Sequence, residues 1–180
     1  MENLLKRTNL PVIFLVLALI VSAGACNNGA DNDDDKAAAE NTPVVTDTLG
    51  HKMERVVEKR YDDGKIRTLH YYRDSNNYFV RKLWPDGEDY IRGWIENGER
   101  EGDWFSWYKN GVLWSSGKYE NGLRQGKSKS YFEDGSVRQV QEYKNDKPHG
   151  TWVFFDEQGN RIIEVDYDEG EKLDERRFDK

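Results

Sequence analysis

The chain has 180 residues, with 27 basic and 34 acidic side chains and a formal net charge of −7. No clustered basic face accompanies this acidic balance, which argues against a nucleic-acid partner. The single cysteine excludes an intramolecular disulfide, and the three histidines lack the spacing of zinc ligands.

The first 25 residues have the pattern of a secretory signal peptide. Lys6 and Arg7 precede an apolar run at residues 10–21, and small residues follow it. A basic region, a short apolar region and a small-residue region are typical of cleaved signal peptides, whereas a transmembrane helix needs about 20 apolar residues. The sequence therefore predicts export, with an uncleaved membrane anchor as the alternative.

Cys26 directly follows the small residues 23–25, and this junction resembles the lipobox of bacterial lipoproteins. The resemblance implies that the thiol receives a diacylglyceryl group before cleavage. Several acyl chains, at about 0.8 kcal/mol per buried CH₂, give lasting attachment where one chain does not. We expect a lipid anchor at Cys26, the alternative being an unpaired thiol after an ordinary signal peptide.

Residues 26–50 are predicted to be an acidic, disordered tether that follows the lipid anchor. Six acidic residues in this segment stand against Lys36 alone, and apolar side chains are almost missing. Such a segment cannot bury enough surface to offset the entropy of chain ordering. A calcium site at residues 33–35 is conceivable, but a segment without fixed geometry favours a hydrated linker.

Residues 51–180 contain a repeat of 23–24 residues. Its most regular feature is a turn glycine, found at Gly64, Gly87, Gly111, Gly135 and Gly159. An aromatic residue stands three positions earlier in four copies; in the last copy it is Phe155, which predicts a turn one residue longer. A fixed period of this length indicates a repeat array in which each copy is one supersecondary unit.

Each copy predicts two β-strands, for example residues 103–108 and 112–119, joined by a tight turn and followed by a longer turn. No segment has the apolar periodicity of a helix, and a glycine or an Asn-Gly pair occurs about every 12 residues. The predicted fold is all-β: an elongated antiparallel β-meander of about five two-stranded hairpin repeats. The alternation of side chains along the strands predicts that one face of the sheet is more apolar than the other, with Trp94 and Trp114 as exceptions on the polar face.

The sequence offers no catalytic arrangement. His51, His70 and His149 stand far from the one cysteine, and the adjacent acids at 62–63 and 133–134 run straight into turn glycines. The glycines follow the repeat period and form no phosphate-binding loop. We therefore expect no enzymatic activity, no cofactor and no metal.

Three segments, residues 102–111, 117–122 and 147–156, resemble the variant MORN repeats of bacterial proteins, many of which are YwqK-type antitoxins. The resemblance covers about residues 55–172 and is most specific in the last three copies. It implies an elongated antiparallel β-meander that makes protein–protein or membrane-proximal contacts and has no catalytic residues.

Two classes of function remain. The first is a lipid-anchored protein of the bacterial outer membrane, on its periplasmic or surface face, that binds an envelope protein. The second is an antitoxin or immunity protein that neutralises a toxin or effector, and carbohydrate binding through exposed aromatic residues is a weaker alternative. The candidate binding residues are Trp104, Trp107, Tyr108, Trp114 and Tyr131. The alternative role for these rings is packing between hairpins.

Overall fold

The computed structural model describes residues 45–47 and 49–178. The predictions for the signal peptide and Cys26, and nearly all of the tether, lie outside the described residues. The described chain forms one sheet of twelve strands in which sequence order equals spatial order. The prediction of an all-β antiparallel meander is confirmed. The described residues contain no helix, and therefore none long and apolar enough to cross a membrane.

The strands are numbered in chain order, and every neighbouring pair is antiparallel. They are β1 (Val45–Thr46), β2 (Lys52–Arg60), β3 (Ile66–Tyr72), β4 (Asn77–Leu83), β5 (Asp89–Glu96), β6 (Glu99–Trp107), β7 (Leu113–Glu120), β8 (Leu123–Tyr131), β9 (Val137–Lys144), β10 (Lys147–Phe155), β11 (Arg161–Asp168) and β12 (Glu171–Arg177).

The turn glycine occupies the same bend in every repeat. Gly111 has a φ of 84°, and its N–H donates to the Tyr108 carbonyl at 3.1 Å. The Tyr108 N–H in turn donates to the Val112 carbonyl at 2.9 Å. This pattern is a type I turn closed by a residue in the left-handed region, which favours glycine. The same two bonds, one repeat apart, close the turns at Gly64, Gly87, Gly135 and Gly159.

The prediction of a longer last turn is wrong. The Gly159 N–H donates to the carbonyl of Asp156, three residues earlier, at 3.0 Å, as in the other repeats. Phe155 belongs to β10, so Asp156 takes the turn position that an aromatic residue holds elsewhere. The aromatic side chain has moved by one residue while the backbone of the turn has kept its length.

The predicted order of tight and longer turns is also wrong, because it is reversed. Residues 108–112 form the longer connection between β6 and β7, whereas Asn121 and Gly122 alone join β7 to β8. Asn121 and Gly122 have φ values of 49° and 78°, and two successive positive φ angles are typical of a type I′ hairpin. Both positions are also positive at 97–98, 145–146 and 169–170.

A bulge interrupts every strand that follows a two-residue turn in the last three repeats. In β6, Glu101 pairs with Trp94 and Phe105 pairs with Arg92, so three residues face Gly93 alone. Gly102, the first of the three, has a φ of 66°, and the corresponding glycines of β8 and β10 have similar angles. The bulge places the side chain of the third residue directly over the neighbouring strand.

The two faces of the sheet are named here by β6. Trp104 and Phe105 are adjacent in this strand and point to opposite faces, which we call the front face and the back face, respectively. A buried apolar cluster lies at the N-terminal end of the sheet and includes Leu69, Tyr71 and Leu83 on the back face. The back face is the predicted polar face, so this prediction is wrong for the first repeats.

Candidate binding surfaces

The five predicted binding residues do not share one surface. Trp104 is only 7 % exposed, and its ring covers Gly93 on the front face. Trp107 lies on the back face, and Trp114 is 41 % exposed with its ring centroid 6.2 Å from that of Tyr108. Trp104 therefore belongs to the packing of the sheet and contributes nothing to an exposed patch.

Tyr108 and Tyr131 connect neighbouring repeats. The Tyr108 hydroxyl donates a hydrogen bond to the Tyr131 carbonyl at 2.9 Å. In the first repeat, Tyr61 donates in the same way to the Leu83 carbonyl at 2.7 Å. The Tyr108 side chain therefore has a structural role between repeats, whereas Tyr131 contributes only its backbone carbonyl to this bond. Trp84 stands at this position in the second repeat, and its buried Nε1 has no hydrogen-bond partner.

An exposed column of side chains follows the longer turns on the back face. It consists of one residue from each of four successive repeats, six positions after the turn aromatic residue of its own repeat. The members of this exposed column are Arg67, Tyr90, Trp114 and Arg138. Tyr90 is 36 % exposed and Trp114 is 41 % exposed, so two rings stand between two guanidinium groups on an uncovered face.

Each member of the exposed column lies against the turn aromatic residue beside it. The Trp84 and Tyr90 ring centroids are 4.6 Å apart, compared with the 6.2 Å between Tyr108 and Trp114. The Arg67 guanidinium lies 5.6 Å from the Tyr61 ring centroid, and Arg138 lies 5.9 Å from that of Phe132. These contacts hold the exposed side chains in place, which lowers the entropic cost of binding through them.

Among the four members of the exposed column, only Trp114 is one of the predicted binding residues. The signal that identifies the others is phase: residues 67, 90, 114 and 138 share one position of the repeat. Residue type alone hides this relation because two members are arginines. The repeat position, together with exposure, is what shows them as one surface.

A second set of rings lies on the front face, where tryptophan and tyrosine alternate across the strands. The Trp152 ring lies between Tyr143 and Tyr167, with centroid distances of 5.1 and 4.8 Å. Its Nε1 donates to the Glu142 carbonyl at 2.9 Å. Trp152 therefore ties three strands together through ring packing and one hydrogen bond.

A small open pocket interrupts this ring arrangement. It has a volume of about 80 Å³ and lies around Gly117 and Ser128, and we call it the front slot. Its walls include Tyr119 and Tyr143, and Arg100 lies at its rim. The mixture of ring surface and guanidinium groups suits a flat, partly apolar ligand.

His70 is the centre of a polar cluster at the N-terminal end of the front face. Its Nδ1 lies 3.1 Å from the Tyr72 hydroxyl, which donates to Glu58 Oε1 at 2.9 Å. Its ring stacks on Tyr78 at a centroid distance of 4.3 Å. Burial lowers the pKa of His70, and the nearby Glu58 carboxylate opposes this effect only in part. The cluster therefore brings three titratable groups together: the imidazole of His70, the hydroxyl of Tyr72 and the carboxylate of Glu58.

One group of potential metal ligands occurs near the C-terminal end: His149, Asp168 and Glu169 offer atoms within 4.8 Å of one another. The repeat gives His149 a structural origin. At the same position, the side chains of Glu101 and Gln125 each accept an N–H of the neighbouring two-residue turn at 2.9 Å. His149 therefore stands at a turn-capping position, and exposed carboxylates beside it do not define a metal centre.

Equivalent turns, in-phase bulges and a sheet with sequential strand order define a β-repeat protein. The model of the MORN repeat variant family matches residues 100–121, 124–145 and 148–169. The chain thus contains three consecutive repeats of this family, and the predicted resemblance is confirmed over residues 100–169.

Each matched segment begins in the strand after a two-residue turn and ends at the next two-residue turn, so one MORN-variant repeat is strand, longer turn and strand. Repeats of this kind indicate a binding role. No curated protein and no solved structure matches the chain.

Proposed function

We propose that this chain is a non-catalytic binding protein of the bacterial envelope, held at the outer membrane by lipid on Cys26, and that the exposed column captures a protein partner. The observation that carries the proposal is the phased exposure of Arg67, Tyr90, Trp114 and Arg138 on the back face. The MORN-variant repeats support a binding role, and the signal-peptide and lipobox patterns support the location.

The chemistry of the column fits a protein surface. Tryptophan, tyrosine and arginine are the residue types that most often carry the binding energy of protein interfaces. Tyr90 and Trp114 offer large ring surface with little side-chain entropy to lose, because each is already packed against a turn ring. The flanking guanidinium groups of Arg67 and Arg138 favour a partner with acidic residues around an apolar centre.

The test uses residues 27–180, which lack the lipidation site, for chemical cross-linking capture from an envelope extract. A double variant, Tyr90→Ala with Trp114→Ala, is expected to weaken binding of the captured protein at least tenfold. At about 2 kcal/mol for each interface hot spot, the loss of two such residues exceeds that factor. Circular dichroism checks that the double variant retains its β-sheet.

Leu123→Ala is the matched control, because Leu123 is also 41 % exposed but lies next to a two-residue turn, at the opposite end of the strands from the longer turns. Binding by this variant is expected to equal that of the unchanged chain. Equal capture by the folded double variant would exclude the exposed column as the binding surface. A captured toxin whose lethal effect is suppressed by this chain would identify the immunity function as the specific role.

A Cys26→Ser variant of the full-length chain tests the anchor separately. The unchanged chain is expected to enter the detergent phase of a Triton X-114 extraction, and the variant is expected to remain in the aqueous phase, since multiple acyl chains dominate the partition. Detergent-phase recovery of the variant would contradict lipid anchoring at Cys26 while leaving the binding proposal intact.

A further inference from the structure

Ser128 occupies a position that holds tryptophan in both flanking repeats. Trp104, Ser128 and Trp152 are 24 residues apart and each stands two residues after a bulge glycine. The pairing agrees with this alignment, because the bulge of β8 places Ser128 opposite the single residue Gly117, as the bulge of β6 places Trp104 opposite Gly93.

The side chain of Ser128 lies over Gly117, but it fills far less space than an indole. A Cβ atom added to Gly93 would lie 2.3 Å from the Trp104 ring, whereas one added to Gly117 would lie 3.1 Å from the Ser128 Oγ. The Oγ itself donates to the Ser116 carbonyl at 3.0 Å. A hydroxymethyl group thus stands where the neighbouring repeats have a ring, and the front slot is the space that remains.

The walls of the front slot match the surroundings of an indole elsewhere in the sheet. Trp152 lies between Tyr143 and Tyr167, its two tyrosine neighbours on adjoining strands. One repeat earlier, the corresponding tyrosines are Tyr119 and Tyr143, and both line the slot. These two tyrosines thus repeat the positions of the flanking rings, but Tyr143 is only 6 % exposed and the Arg124 guanidinium carbon lies 3.9 Å from its ring centroid.

Arg100 adds a charge preference to the rim of the front slot. Its guanidinium carbon lies 4.3 Å from the Trp104 ring centroid, and its Nη1 donates to the Tyr119 hydroxyl at 3.0 Å. Among the described residues no carboxylate forms an ion pair with Arg100, whereas Arg124 is paired with Asp146 at 2.7 Å. An anionic group next to a bound ring would supply the counter-charge for Arg100.

We propose that the front slot binds an aromatic side chain of a partner protein, preferentially an indole, with a carboxylate on a neighbouring group facing Arg100. The slot lies on the front face, so this site is separate from the exposed column on the back face. A partner tryptophan beside an acidic residue has the required chemistry, since its ring can stack on Tyr119 and on the Arg124 guanidinium that covers Tyr143, while the acidic side chain pairs with Arg100.

The test is a titration of ¹⁵N-labelled residues 27–180 with N-acetyl-L-tryptophan, which carries both the indole and a carboxylate. Saturable shifts of the Gly117 amide are expected, with a dissociation constant in the millimolar range. The neutral N-acetyl-L-tryptophanamide is expected to bind at least threefold more weakly. An Arg100→Gln variant is expected to bind the two probes equally, because it removes the cation but keeps the walls.

Ser128→Trp is the blocking variant: its own indole occupies the front slot, and at least tenfold weaker probe binding is expected. If the tryptophan variant fails to fold, Ser128→Leu replaces it; this variant fills the slot with a smaller side chain and is also expected to weaken probe binding. Shifts that do not saturate, or shifts at Gly117 that persist in the folded blocking variant, would overturn the proposal. Binding of both probes with equal affinity to the unchanged chain would overturn the role of Arg100.

Discussion

Gly93 and Gly117 occupy the same position of successive repeats, yet their side-chain environments differ. A Cβ on Gly93 would overlap the ring of Trp104 at 2.3 Å, and neither glycine has a positive φ. The need for glycine at position 93 is therefore steric and not conformational. At position 117 the nearest atom is the Oγ of Ser128, at 3.1 Å, which belongs to a much smaller side chain.

Gly93→Ala is accordingly expected to lower the free energy of unfolding by about 1–3 kcal/mol, the usual cost of overpacking a filled site. Gly117→Ala is the matched control and is expected to stay within about 0.5 kcal/mol of the unchanged chain. Urea unfolding followed by tryptophan fluorescence measures both. Equal losses at the two positions would contradict the assignment of the cost to the Trp104 ring.

His70 makes the stability of the protein depend on pH. Burial lowers its pKa below the ordinary value of 6.5, so the unfolded chain takes up the proton before the folded chain does as the pH falls. The contribution of neutral His70 to stability is therefore complete above pH 6.5 and is lost as the pH decreases through the folded pKa. The urea midpoint is expected to fall between pH 7.5 and pH 5.

In His70→Gln this fall in the urea midpoint is expected to be smaller, because glutamine keeps a polar group but does not titrate. Leu123→Ala is the control, since Leu123 is exposed, does not titrate and lies outside the cluster around Tyr72. This control is expected to retain the pH dependence of the unchanged chain. The same slope in His70→Gln as in the unchanged chain would show that other groups cause the effect.

At the scale of strands and turns, the hydroxyl that joins neighbouring repeats can be removed alone. Tyr108→Phe deletes the donor to the Tyr131 carbonyl, and Tyr61→Phe deletes the donor to the Leu83 carbonyl. Each substitution is expected to cost about 0.5–1.5 kcal/mol in the free energy of unfolding, the net value of a typical hydrogen bond. Thermal and urea unfolding measure the loss.

Tyr90→Phe is the control for these two substitutions because the Tyr90 ring is exposed and its hydroxyl makes no hydrogen bond to another described residue. It is expected to leave stability within about 0.5 kcal/mol. A loss as large as that of Tyr108→Phe would mean that the hydroxyls act through something other than the bonds between repeats.

The sequence reveals the elements of this fold well, because each turn needs a particular backbone geometry. Gly111 and its equivalents need a positive φ, and Asn121-Gly122 needs two in succession, so residue type marks the bends directly. The lengths of the two kinds of turn are less visible. Residues such as Val112 have no turn-specific chemistry, and only the hydrogen bond to the Tyr108 N–H shows that it belongs to the longer connection.

The binding surfaces are harder to predict for a related reason. Exposure of a ring depends on which face it occupies and on what lies across from it, and the two extra residues at Gly102 keep the alternation of faces along β6 but shift its pairing with β5 by two residues. Trp104 and Trp114 look alike in the sequence but end on different faces with 7 % and 41 % exposure. The front slot depends on comparing Ser128 with its equivalents, which requires the bulge to be located first.

At the scale of the whole described sheet, stability comes from contact between neighbouring strands. No side chain in the described ranges is less than 2 % exposed, so the sheet has a thin core that adjacent repeats share. Such arrays behave approximately as a sum of repeat stabilities and nearest-neighbour terms. A complete repeat is then the natural unit that can be removed.

Deletion of residues 123–146 removes 24 residues, which is one full period, and joins Gly122 to Lys147. The strand phase is kept, because Lys147 replaces Leu123 at the start of a strand and Gly150 replaces Gly126 at the bulge. The shortened chain is expected to fold, with a urea m-value lower by roughly a fifth because less surface is exposed on unfolding.

The same deletion moves Trp152 into the position of Ser128, where its ring would lie between Tyr119 and Tyr167 and occupy the front slot. N-acetyl-L-tryptophan is therefore expected to cause no saturable shift at Gly117 in the shortened chain.

Deletion of residues 123–134 is the control for the full-repeat deletion, since it removes one strand and breaks the alternation of turn types. This control is expected to lower the thermal midpoint far more than the full-repeat deletion. Only removal of a complete period keeps the bulge glycines and the stacked rings at equivalent positions on neighbouring strands. Equal tolerance of the two deletions would contradict the repeat as the unit of the fold.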